Sequence, residues 1–85
     1  MPEHECEAAG HILSPNPRRT LQVGRGGSCL DRAWGQVPLG CSVQSGNDRT
    51  AHYKISGDTG HGCISNAYQL VCRNNGKFFV RHPIV

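Results

Sequence analysis

Apolar positions are few along this chain, and they fall in short clusters whose spacing changes along its length. Between Pro2 and Leu13, Cys6, Ala9 and Leu13 recur three and four residues apart, the period that gives a helix one apolar stripe. Pro2 suits the first turn of such a helix, where its missing amide proton is not needed. Glu3, Glu5 and Glu7 lie toward the positive end of its dipole, and Ser14-Pro15-Asn16-Pro17 ends it. Gly10 is the one residue that argues against helix here.

Beyond Pro17 the period becomes that of strands. Thr20 to Val23, Cys41 to Gln44, Thr50 to Ser56 and Ala67 to Arg73 are short extended runs bounded by turn residues. Ala67 to Arg73 is the strongest, with Tyr68, Leu70 and Cys72 on one face. Gly24 to Gly27, Pro38-Leu39-Gly40, Ser45-Gly46-Asn47-Asp48 and Gly57 to Gly62 punctuate the chain. Asn74-Asn75-Gly76 is a tight-hairpin signal, because Asn and Gly tolerate positive φ, and Lys77 to His82 is its returning strand. The pattern predicts an α+β domain: one N-terminal helix packed on a small antiparallel sheet of roughly three to five strands. No internal repeat is evident.

Composition changes this picture in one respect. The 85 residues form a single domain, in which Leu, Ile, Val and Phe together account for only 17 positions while glycine accounts for 11. A chain this short buries little surface, and glycines add backbone entropy without side chains to bury. Five cysteines supply the missing constraint as disulfide staples. A bridge from helix to sheet, such as Cys6–Cys41, would close a long loop. Cys63 and Cys72 flank the strongest strand and complete the expected bridged set, with each other or with Cys29 as partner.

Charge excludes more than it suggests. A net charge of +3 and the single triplet Arg25-Gly26-Gly27 fall short of the dense basic stripe of nucleic-acid binders. No segment has the length of a membrane span. Met1-Pro2-Glu3-His4 lacks the basic start and apolar run of a secretory signal. An extracellular reading is then met if the chain is one module of a longer protein.

The remaining chemistry is thin. His4, Cys6, His11, His61 and Cys63 are potential zinc ligands, but their spacing lacks the paired Cys-x2-4-Cys or His-x3-5-His pattern of structural zinc sites. No cysteine is marked as an activated nucleophile, so no catalytic residue, metal or cofactor is assigned. Trp34 is the single tryptophan, and it suits either the core or a sugar-stacking platform. Asn47, Asp48, Arg49, His52 and Tyr53 cluster around a turn and the next strand, as ligand-binding polars or as ordinary turn chemistry. Asp58 and His61 sit in a glycine-rich loop of the kind that either orders around a ligand or stays mobile. Trp34, Asp48, His52 and Tyr53 are the ligand-binding candidates.

Three segments in order carry a resemblance: Glu5-Cys6-Glu7-Ala8-Ala9, then Trp34-Gly35-Gln36-Val37-Pro38-Leu39-Gly40-Cys41-Ser42-Val43-Gln44, then Tyr68-Gln69-Leu70-Val71-Cys72. Together they resemble the cysteine-containing repeats found in surface and secreted proteins of unicellular algae and related eukaryotes. The likeness spans about Glu5 to Arg73, the expected core of the module. More remotely the chain is similar to PAN/apple and WSC modules, which bind glycans or proteins. Two positions depart from the pattern. Cys29 falls in an apparent insertion, Gly26 to Arg32, which makes it the expected free thiol, and Lys54 stands where the family tends to have Asn. Those repeats have no assigned function, so the resemblance implies a fold and a secreted or cell-surface location. By analogy with the PAN/apple and WSC modules, the chain is read as a non-enzymatic extracellular binding or adhesion module. Its partner would be a glycan or an extracellular protein, with neighbouring modules on a longer chain. A small intracellular zinc-binding Cys/His domain is the alternative.

Overall fold

The computed structural model describes residues 1–26, 34–46, 48–57 and 67–81. Helix α1 (Glu3–Leu13) is followed by β1 (Gln22–Gly24), β2 (Gly40–Gln44), β3 (Ala51–Lys54), β4 (Tyr68–Asn74) and β5 (Lys77–Arg81). The fold is α+β, a single helix on a five-stranded sheet of order β1-β3-β2-β4-β5. No helix among the described residues is long and apolar enough to cross a membrane.

The sheet is mixed, whereas an antiparallel one was expected. β2 pairs antiparallel with both β3 and β4, and β4 with β5, while β1 runs parallel to β3 with Gln22 beside His52. Hairpin turns dictate antiparallel pairing only between strands they join directly. The long connection between β1 and β3 leaves the direction of β1 free. Its position is pinned instead by Arg18, whose amide donates to the Asp48 carbonyl at 2.8 Å. The Asn75-Gly76 turn forms as its composition demands. Both residues have positive φ, 53° and 77°, and Asn74 pairs with Lys77 across it.

Strand alternation sorts side chains onto two faces. Cys41, Val43 and Val71 point to the helix and pack on Cys6 and Ala9, with Leu13, Leu21, Tyr53 and Phe78 around them. The residues buried here are small, so this core supplies modest apolar burial. The Cys6–Cys41 disulfide crosses it and ties helix to sheet over 35 residues of chain. On the chain-entropy account, such a loop stabilises by roughly 4 kcal/mol. Glu5 of the helix also accepts a hydrogen bond from Arg73 of β4.

Gly10 has a packing reason. It is buried, and a Cβ at this position would lie 2.8 Å from the Cβ of Ala51. Its lack of a side chain lets the helix lie directly on β3. The helix tolerates the propensity cost because close contact repays it.

Cys72 corrects an expectation: it carries a free, half-buried thiol rather than a bridge. Strand alternation gives Val71 the helix-facing position and puts Cys72 on the opposite face, across from Phe79 and away from the Cys6–Cys41 bridge. Cys29, Cys63, Asn47, Asp58, His61 and His82 lie outside the described residues.

Candidate functional site

The face of the sheet turned away from the helix is unusually polar for a covered surface. Ser42, Thr50, His52 and Lys54 all project there and all are buried. Residues 34–38 form part of their cover. Lys54 anchors that segment from below, its Nζ donating to the carbonyls of Trp34 at 2.9 Å and Val37 at 3.2 Å. A charged residue at 1 % exposure is tolerable only with such partners.

Trp34 is set by two neighbours. A Cβ on Gly24 would stand 2.0 Å from the indole Cε2, so the ring rests on the bare backbone of β1. The indole also meets His52 edge-on, with centroids 5.7 Å apart and planes at 67°. His52 in turn meets Tyr68 at 5.2 Å and 88°. These separations and tilts are those aromatic pairs prefer. Trp34 is half-buried, resting on Gly24 and His52 while it lines the cleft.

A cleft of about 190 Å³ opens here, lined by Arg19, Gln22, Trp34, His52 and Tyr68. Two larger hollows, of about 440 and 280 Å³, open beside the helix N-terminus and beside the helix C-terminus. Neither joins aromatic rings to a buried titratable group, which makes the smaller cleft the better site on chemical grounds.

The protonation of His52 follows from its contacts. Its Nδ1 lies 3.0 Å from the Thr50 carbonyl. A carbonyl only accepts, so Nδ1 carries the proton and Nε2 keeps a lone pair. Burial holds the imidazole below its usual value of 6.5, with Arg19 acting in the same direction against the Thr50 bond and Asp48. Burial likewise raises the Tyr68 phenol above its usual 10.0. At neutral pH the cleft therefore presents an imidazole acceptor, a phenol hydroxyl, the Gln22 amide and the Arg19 guanidinium. Ser42 Oγ and Gln44 Oε1 are buried without a hydrogen-bond partner. They sit on this same face, directly across from His52 and Tyr68 in the register.

The structure brings together two of the four candidate residues, Trp34 and His52. Tyr53 follows His52 in the same strand and so faces the other way. It packs at the margin of the helix-side core, and its hydroxyl donates to the Met1 carbonyl at 2.8 Å. Asp48 shapes its turn, accepting from the Thr50 amide at 3.2 Å with Arg18 4.0 Å away. Hydrogen bonding from Thr50 holds its carboxyl below the usual 3.8. Arg19, Gln22 and Tyr68 were missed in sequence. The sequence pattern puts Tyr68 on one strand face, but only the register shows that this is the face of His52. Among the zinc-ligand candidates, Cys6 is committed to the disulfide.

Comparison of the chain with models of known protein families, with curated proteins and with solved structures finds no match in any of the three.

Proposed function

We propose that this chain is a non-enzymatic extracellular binding module that takes a saccharide in the cleft between Trp34, His52 and Tyr68. The observation that carries this reading is the edge-to-face row of three rings, with centroids 5.7 and 5.2 Å apart, centred on an imidazole whose Nε2 only accepts. Sugars present apolar C–H faces ringed by hydroxyl donors, and aromatic walls with a few fixed polar groups are their usual recognition chemistry. The cleft is small and polar, a shape that admits one ring of a glycan more readily than the surface of a protein.

A binding role rather than catalysis is favoured by the way His52 is held. Its Nδ1 is oriented by a backbone carbonyl, not by a carboxylate that would stabilise an imidazolium. The extracellular placement rests on the Cys6–Cys41 disulfide, a bond that persists in oxidising compartments. On this reading the chain belongs with the cysteine-containing surface modules it resembles.

An amide-resolved NMR titration with neutral and acidic oligosaccharides tests the proposal. The expected result is saturable perturbation concentrated at Gln22, Trp34, His52 and Tyr68. Perturbation confined to other surfaces, or none with any glycan, would overturn it.

A further inference from the structure

We infer that the saccharide taken by this cleft carries an anionic group, a carboxylate or a sulfate, and that Arg19 is the residue that binds it. The inference rests on the glycan reading above and narrows it to one ligand class.

Arg19 is exposed and lines the cleft beside Gln22, Trp34, His52 and Tyr68. Its field reaches Asp48, His52 and Tyr68. Among the described residues it makes no ion pair. Asp48, the nearby carboxylate, is instead engaged by the Thr50 amide and lies beside Arg18. Among the described residues the cleft lining holds no Asp or Glu. The acidic first turn of α1, Glu3 and Glu5, belongs to the element packed on the other face of the sheet. A guanidinium placed next to aromatic walls, with no ion-pair partner among the described residues, suits an external carboxylate or sulfate, which it meets with two parallel hydrogen bonds.

The other groups divide the work. His52 lines the cleft as a neutral imidazole whose Nε2 is left as an acceptor, which suits it to a sugar hydroxyl and not to the anion. Trp34 and Tyr68 supply walls for the ring, and the Gln22 amide both donates and accepts. A free anion would use only Arg19, whereas a neutral sugar would leave Arg19 unused. An acidic sugar uses the whole lining.

The test compares neutral, uronate-bearing and sulfated oligosaccharides of equal length, with inorganic sulfate alone as a fourth ligand. Titrations are run by calorimetry on the intact chain and on Arg19→Gln. Arg81→Gln, which removes the same charge from β5 at the far edge of the sheet, serves as the control. At least one acidic class is expected to bind about tenfold more tightly than the neutral glycan, a preference that falls with added salt. Arg19→Gln should bring the acidic-to-neutral ratio to about one, while Arg81→Gln leaves that ratio as in the parent. Which acidic class is preferred identifies the anion as carboxylate or sulfate. Equal binding of neutral and acidic glycans would overturn this inference and leave the glycan site standing, as would an acidic preference untouched by Arg19→Gln. Inorganic sulfate binding as tightly as the sulfated glycan would also overturn it. Binding of no saccharide at all would remove both readings together.

Discussion

Lys54 holds Trp34 in place: its buried ammonium donates to the Trp34 carbonyl at 2.9 Å, so a lysine of β3 fixes the wall of the cleft through the backbone rather than through the indole. Replacing it leaves the Trp34 and Val37 carbonyls without their Nζ donor. Lys54→Met is expected to lower stability by about 2–3 kcal/mol and to shift the Trp34 emission to the red as the ring loses its seat. Denaturant unfolding followed by that emission checks both effects. An equally stable variant with unchanged emission would show that the ammonium is not what seats the tryptophan.

The disulfide compensates for a core of small residues. Among the described residues the buried apolar set is Cys6, Ala9, Val37, Cys41, Val43, Ala51 and Val71, with no large aliphatic or aromatic side chain among them. Excess reductant, or Cys6→Ser with Cys41→Ser, should remove about 3–4 kcal/mol, most of what a domain this size possesses. The measurement is the melting temperature with and without reductant. No change would mean that packing alone suffices.

Gly10 is expected to be more valuable than its helix propensity suggests. Gly10→Ala places a methyl 2.8 Å from the Cβ of Ala51. The substitution should therefore destabilise by about 1–3 kcal/mol, although alanine is the better helix former by about 1 kcal/mol. Ala51→Gly in the same chain should recover part of the loss by opening the facing position. A more stable Gly10→Ala variant would show that helix and sheet are not held in contact there.

His52 makes stability depend on pH in a defined direction. Its folded pKa lies below the unfolded 6.5 because of burial, with Arg19, Asp48 and the Thr50 carbonyl as its polar surroundings. Between the two values the unfolded chain binds a proton that the folded chain refuses, so stability is lost as pH falls. The contribution is fully present above 6.5 and declines as pH drops from there through the lower folded value. Denaturant midpoints at about pH 7 and about pH 5 should differ more for the parent than for His52→Gln. Identical pH dependence in the two proteins would place His52 in a solvated, unstrained setting.

Local chemistry was the part most legible in sequence. The helix ends where Ser14-Pro15 ends it, and the Asn75-Gly76 turn sets the β4–β5 register because few other residue pairs accept its φ values. The Cys6–Cys41 bridge was legible only as one possible pairing, since spacing does not say which cysteines meet. What the sequence hid was the assignment of faces. Asp48, His52 and Tyr53 look like one cluster because they are near in sequence, yet His52 and Tyr53 are adjacent in a strand and must point apart. Tyr68 joins His52 only through a register in which β2 lies between their strands. Lys54 stood out in sequence only as a departure from the resembled pattern, because nothing local shows that two carbonyls of a distant turn come down to meet it.

The most direct test uses the fact that Trp34 is the single tryptophan of the chain and also a wall of the cleft, so its emission reports on that site alone. Oligosaccharide titrated into the folded protein should change that emission saturably, with the midpoint matching the calorimetric affinity, and His52→Ala should weaken both together. A glycan that binds by calorimetry while Trp34 emission stays constant would contradict the account.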